Sequence, residues 1–366
     1  MRKYLIFASL LLGMFVFLFV ACSDDDDGPS DQLPADEAKV ELNAANQEIM
    51  TRMGTMMNTQ AATSLSFLME MMDFYDYDDD WKTHLKSGLA DFHKKTPAAI
   101  KRDFFKSFSS QKSMQGPNPE DKGVYQYNYV SGQFDLVNSG VNYLQIIFPA
   151  DEEDYYNEGL NATLTVSQYE YITIIVDDYW DEYEEILPTR IKMNLVAYGV
   201  TAMDIDFTAS YDSAGVPTNV SANMQMPPYA LVMSLTGSGR NIVSSMSFKE
   251  NTETMFAYDA KITLSADKED LDFVEGFFQV TPLKVQGEID GKAMNTCADN
   301  NVECMNKSLD LKLIHVEKNV ILGNIEFRLY DDPYWDESYP MFAVVYADGS
   351  YDFLQDIFEM DGLVKK

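Results

Sequence analysis

Met203-Asp204-Ile205-Asp206-Phe207-Thr208 alternates apolar and polar side chains at every step, and Asn223-Met224-Gln225-Met226 does so again. Successive side chains of a strand point to opposite faces, so a two-residue period describes a sheet with one face on a core and the other in water. Working outward, β-branched and aromatic runs recur at close spacing. They predict strands over 124–130, after a Ser131-Gly132 turn, and over 143–148, 162–166, 171–176, 191–198, 203–211, 220–226 and 229–235. Further strands are predicted over 242–248, 255–264, 283–289, 309–316, 320–329 and 341–346, with a short helix or strand over 352–364. Turn signals at Asp212-Ser213-Ala214-Gly215, Pro227-Pro228 and Thr236-Gly237-Ser238-Gly239 separate neighbours. Such short connections imply antiparallel pairing, because parallel neighbours need long crossovers.

Upstream the period changes. Leu42, Ile49, Met53, Met56, Met57, Ala61, Leu65, Leu68 and Met72 recur at spacings of three, four and seven, the stripe of an amphipathic helix or helix pair over 35–75. A second helical stretch is expected over 81–108, capped or broken near Thr96-Pro97. The reading is an α+β chain in which N-terminal helices pack on a large curved antiparallel sheet, a half-barrel or meander. It has one domain over 35–366, helical over 35–115 and mainly strand over 123–350.

Arg2 and Lys3 precede an apolar run from Tyr4 to Ala21, which ends at Cys22. That order, basic then apolar then a small residue, is the order of a signal peptide over 1–21. Leu18-Phe19-Val20-Ala21-Cys22 resembles the lipobox of bacterial lipoproteins, and the resemblance implies cleavage before Cys22 and lipidation of its sulfur. Ser23-Asp24-Asp25-Asp26-Asp27-Gly28 resembles the acidic tract of Bacteroides-type lipoproteins, which implies an outer-membrane lipoprotein displayed on the cell surface, with the periplasmic face as the alternative. Four adjacent carboxylates cannot be buried together, so 22–34 reads as a solvated tether. Segments such as Ile147-Phe148-Pro149-Ala150 and Ile186-Leu187-Pro188-Thr189 are similar to those of uncharacterised surface lipoproteins of the same group. The address and architecture together are similar to lipoprotein-carrier folds of the LolA type, which hold a lipid-sized cavity.

Removing 21 residues leaves about 345 of the 366, ample for a core, and takes the net charge from −32 to −34 by the loss of Arg2 and Lys3. A surface with 59 acids against 27 basic residues repels nucleic acid and anionic headgroups. Besides Cys22 only Cys297 and Cys304 remain, an even pair in an exported chain, which points to a disulfide. Seven positions along a regular helix would separate their Cα atoms by ~10.5 Å, too far to bridge, so a loop or turn is required within 295–306.

The distinctive local feature is acidic-aromatic clustering. Asp177-Asp178-Tyr179-Trp180-Asp181-Glu182-Tyr183 and Asp331-Asp332-Pro333-Tyr334-Trp335-Asp336-Glu337 are near-repeats, and Trp81 follows Asp78-Asp79-Asp80. Tryptophan beside several charges suits a surface where one edge stays wet. Tyr179, Trp180, Tyr334 and Trp335 are therefore candidate ligand-binding residues for a glycan; the plain alternative is a solvated loop. Asp76, Asp78 and Asp80 match the opening of an EF-hand, but Trp81 stands where Gly is needed and Ser87 where the bidentate Glu is needed. No cofactor is expected, with calcium at a looser acidic site as the one candidate.

Catalytic signatures are missing: no Gly-x-Ser-x-Gly elbow, no His-Glu-x-x-His and no Gly-rich phosphate loop. The three histidines are His84, His93 and His315. Ser109-x-x-Lys112 and Ser265-x-x-Lys268 lack the companion motifs of penicillin-binding proteins. The leading expectation is thus a non-enzymatic envelope lipoprotein that holds an apolar, lipid-like ligand between sheet and helices. The second is a surface glycan-binding or adhesin-type lipoprotein that uses Trp180 and Trp335. Its partners would be the membrane, through the lipid on Cys22, and that ligand, with nucleic acid excluded by charge.

Overall fold

The computed structural model describes residues 29, 31–72, 120–177, 182–212, 215, 217–266, 270–298, 300–331 and 338–357. Two helices come first, α1 (Ala35–Met57) and α2 (Gln60–Met71). Asp36 and Glu37 in the first turn of α1 suit the positive end of a helix dipole. The break between the helices is local chemistry: the Thr59 hydroxyl accepts from the Ala62 amide at 3.3 Å and so starts α2. Of the apolar stripe, Leu42, Ile49, Met56, Ala61, Leu68 and Met72 are buried, while Met53, Met57 and Leu65 are half-buried.

Sixteen strands follow among the described residues: β1 (Gly123–Asn128), β2 (Gln133–Asn138), β3 (Leu144–Phe148), β4 (Ala162–Asp177), β5 (Glu182–Ala197), β6 (Val200–Tyr211), β7 (Pro217–Met226) and β8 (Tyr229–Ser238) come first. After them run β9 (Asn241–Glu250), β10 (Glu253–Leu264), β11 (Leu271–Val280), β12 (Leu283–Ile289), β13 (Leu309–His315), β14 (Val320–Asp331), β15 (Ser338–Val345) and β16 (Tyr351–Phe353). They form one sheet in the order β16 to β3 in sequence, then β1 and β2. The large, mainly antiparallel sheet is the architecture that the alternating runs predict.

Three details differ from the sequence reading. The predicted strands at 162–166 and 171–176 are one strand, β4, which crosses two register shifts against β5. Strand β11 was not predicted: Gly276 and the adjacent Phe277-Phe278 break the alternation, yet Val274, Phe278 and Val280 are buried. Finally, β1 pairs with β3 in parallel, Gly123 opposite Leu144. No long crossover is needed, because β2 carries the chain back antiparallel to β1 before 139–143 leads into β3.

Three short helices were not foreseen, α3 (Glu152–Tyr156), α4 (Gly291–Met294) and α5 (Val302–Asn306), while α6 (Leu354–Ile357) falls where a short closing helix or strand is predicted. The first three carry side-chain N-caps, with Asp151, Asp290 and Asn301 accepting from the amides of Asp154, Ala293 and Cys304.

The sequence suggests a single domain over 35–366; backbone contacts group the described residues into two compact units. One comprises 54–236 with Lys249–Thr252, the other the residues up to Met53, Gly237–Phe248 and those from Glu253 onward. In the first, Phe148, Leu195, Met203 and Met226 are sealed from solvent. In the second, Phe256, Val274, Leu322 and Val344 are sealed, and Ile242, Ser244, Met246 and Phe248 of β9 are buried at alternate positions. Within that second unit, Asn46 on α1 donates to the Ile357 carbonyl at 2.9 Å, and Lys39 lies 3.4 Å from Asp352. Arg52 joins Glu48 at 2.8 Å and Glu253 at 2.7 Å.

Candidate functional site

The site of interest grows out of one strand. In β4, Val166 pairs with Met193 of β5 and Gln168 with Lys192, so Ser167 is the extra residue of a bulge. A second shift follows, where Glu170 pairs with Arg190 and Tyr171 with Pro188, leaving Thr189 as the extra residue on β5. A proline is tolerated in a strand at such a bulge. Its carbonyl accepts from the Tyr211 hydroxyl at 2.9 Å, and burial pushes that phenol up to about 12. Between the two bulges, β4 re-aims its side chains so that Tyr169 and Tyr171 share a face. Their ring centroids are 5.9 Å apart and the planes are inclined by 43°.

These rings wall a cleft of about 220 Å³. Leu144 and Val166, directly paired across β3 and β4 and both buried, line it, along with Tyr143. The polar lining is Glu120, Lys122, Asn142 and Ser167. Ser167 donates its hydroxyl to the Lys192 carbonyl at 3.3 Å. Burial, then the Glu120 carboxylate and the Tyr171 ring, raise the Tyr169 phenol above its usual value. Tyr169 therefore keeps its O–H donor throughout the neutral range. No histidine or cysteine is among the described lining residues, and Glu120 is the one carboxylate. What this arrangement offers is binding chemistry: ring faces, a small apolar patch, and donors and acceptors around them.

A second aromatic group has a structural task. Tyr127, Tyr129 and Tyr155 contact one another at 5.2–6.0 Å, and Phe134 and Phe67 extend the group. The Tyr129 hydroxyl donates to the Gly159 carbonyl at 2.8 Å, and burial pushes its phenol up to about 12. Buried Asp154 accepts from the Ala150 amide at 3.2 Å and from Asn161 at 2.9 Å. These bonds tie α3 and its flanks to the β1–β2 hairpin.

The residues singled out by sequence fare differently. Cys297 and Cys304 are bonded, with Cα atoms 5.7 Å apart. The turn that the spacing required separates α4 from α5, and Cys304 lies on α5. His315 ends β13, buried, with Nε2 3.9 Å from the Glu41 carboxylate, which Lys318 also contacts. Its Nδ1 has no hydrogen-bond partner among the described residues. Burial, with Lys318 next, lowers its pKa. Cys22, Trp81, Tyr179, Trp180, Tyr334 and Trp335 lie outside the described residues, as do Asp76, Asp78 and Asp80. The two acidic-aromatic runs connect β4 to β5 and β14 to β15. Among the described residues no group of three or more His, Cys, Asp or Glu side chains is placed to hold a metal ion. Tyr143, Tyr169 and Tyr171 were missed as a site. Two tyrosines at i and i+2 of a strand share a face, and that was the available signal.

No family model matches the chain, and neither a curated protein nor a solved structure does.

Proposed function

We propose that this chain is a non-enzymatic lipoprotein of the outer membrane, anchored through Cys22 and displayed on the cell surface, that captures a neutral glycan in the tyrosine cleft. The observation that carries this reading is the Tyr169–Tyr171 pair, 5.9 Å apart in an open cleft rimmed by Asn142, Ser167, Glu120 and Lys122. A sugar ring has an apolar C–H face and a belt of hydroxyls. Aromatic faces suit the first, and side-chain donors and acceptors suit the second. The net charge of −32 repels polyanions, so the ligand is a neutral sugar rather than a sulfated or uronic one.

The reading as a carrier of an apolar ligand, held between N-terminal helices and a curved sheet, draws less support. That reading rests on a large one-sided sheet and a Met-rich stripe; the sheet is present, but Met56 and Met72 of the stripe are buried as ordinary core side chains are. Burial of the stripe is accounted for by ordinary core packing and needs no groove awaiting a lipid.

The test is a glycan array probed with the mature lipoprotein in a detergent without sugar groups. Binding to a set of neutral glycans that Tyr169→Ala and Tyr171→Ala each weaken supports the reading. A co-purifying lipid with a blank array overturns it.

A further inference from the structure

Strand β4 does not stop at the cleft. Strand β3 pairs with it only as far as Val166, and β6 pairs with β5 only as far as Arg190. Beyond those points β4 and β5 pair with each other through Asp177 and Glu182, a two-stranded ribbon among the described residues. No further shift interrupts β4 after Tyr171, so Tyr171, Thr173 and Ile175 continue the face of Tyr169. The other face of the ribbon is covered. Leu187, paired with Ile172, is 2% exposed, and a Cβ on Gly215 would meet both Leu187, at 3.2 Å, and Ile174.

The Tyr169 face is different. Tyr171 is 41% exposed, Thr173 is exposed and Ile175 is 71% exposed. A β-branched aliphatic residue open to water on a strand is a hydration cost that an occupant would relieve. With ~3.3 Å rise per residue, the row from Tyr169 to Ile175 is about 20 Å long, far longer than one sugar ring.

We infer that the glycan is an extended neutral chain, bound by an internal or terminal segment that starts in the cleft and runs along Tyr171, Thr173 and Ile175. This rests on the glycan reading of the cleft and adds the length and direction of the ligand. The row itself has no charged member: ring, ring, hydroxyl and aliphatic group follow one another, and Lys122 and Glu120 at its base offset each other. Such a row complements a chain of alternating C–H faces and hydroxyls. An extended peptide would instead draw its affinity from main-chain bonds along the strand edge.

The experiment is calorimetric titration of the mature lipoprotein, in a detergent without sugar groups, with glucan, mannan and xylan oligomers from monomer to hexamer. For the series that binds, the hexamer is expected to bind at least about tenfold more tightly than the dimer, a difference near ~1.4 kcal/mol. Ile175→Ser should remove most of that gain and leave dimer binding unchanged, whereas Tyr171→Ala weakens every length. Thr173→Lys, at an exposed position, should act as Ile175→Ser does, so a folding defect in one variant does not decide the matter. Equal affinity for dimer and hexamer, with Ile175→Ser silent, would mean that the ligand ends in the cleft; the inference then fails while the glycan reading stands. If no oligomer binds at any length, both fail. If extended uncharged peptides bind in an Ile175-dependent manner while glycans do not, both fail as well.

Discussion

Gly287 is the position where a single methyl group should do most damage. It sits in β12 opposite Gly276 of β11 and Leu311 of β13, with φ at +147°. A Cβ there would overlap the carbonyl oxygen of Asp310, whose carbon would lie at 2.8 Å. The neighbour is backbone, so it can yield only if β12 and β13 move apart. The left-handed φ costs an alanine about 1–3 kcal/mol. Loss of two ladder hydrogen bonds adds about 0.5–1.5 kcal/mol each. Alanine's stiffer unfolded chain returns about 0.4–1 kcal/mol. The net is a loss of about 1–6 kcal/mol for Gly287→Ala, centred on about 3 kcal/mol. In urea, with a slope of ~3 kcal/mol/M, that lowers the midpoint by about 1 M. Gly239→Ala is the control, since Gly239 also has positive φ, +64°, but nothing within 4 Å of its Cβ. It should cost about 1–2 kcal/mol from conformation alone. Equal midpoints for the two variants would show that β12 and β13 are not packed in this register.

Cys297→Ser with Cys304→Ser opens a short loop, and the chain-entropy relation gives a loss of about 2.5 kcal/mol, read as a lower urea midpoint under non-reducing conditions. Leu195→Ala, at a fully buried site, should cost about 2–5 kcal/mol by the same measurement, and a smaller loss would mean that the first unit's core is looser than described. The depressed pKa of His315 contributes stability that is present above its unfolded value, about 6.5, and is lost as pH falls through its lower folded value. The wild-type midpoint should therefore fall below pH 6.5 more steeply than that of His315→Gln, and parallel curves would assign the acid sensitivity elsewhere. Cys22→Ser should move the protein from the membrane fraction to the soluble envelope fraction, as an immunoblot of fractionated cells will show.

The large sheet was legible because several strands alternate apolar and polar residues, as Met203 to Thr208 does, and others are short β-branched or aromatic runs between turn signals. Where the alternation breaks, reading failed for identifiable reasons. Ser167, the extra residue of a bulge, inverts the parity of β4 midway, so the strand reads as two. In β11 the pairing is unbroken from Val274 to Val280, but Gly276 and the adjacent Phe277-Phe278 blur the apolar–polar pattern in the sequence. The parallel pairing of β1 and β3 follows from the path of β2, which no periodicity encodes. The disulfide was legible, since Cys297 and Cys304 are the one pair of cysteines after residue 22 and lie seven positions apart. The tyrosine cleft was not, because the sequence draws the eye to Trp180 and Trp335, whereas Tyr143 reaches the cleft only through the β3–β4 pairing. Short capped helices such as α3 left a local signal in Asp151 and Asp154, but one too short to show a period.

The most direct measurement is calorimetric titration of the purified protein with the neutral glycan that scores highest on the array, for wild type, Tyr171→Ala and Tyr351→Ala. Tyr351, on β16, is 43% exposed, close to the 41% of Tyr171, but does not line the cleft. Loss of one aromatic contact of about 1–3 kcal/mol should weaken binding to Tyr171→Ala by about fivefold to a hundredfold, and leave Tyr351→Ala at the wild-type affinity. Equal affinities for all three proteins would contradict a sugar site in the cleft of β3 and β4.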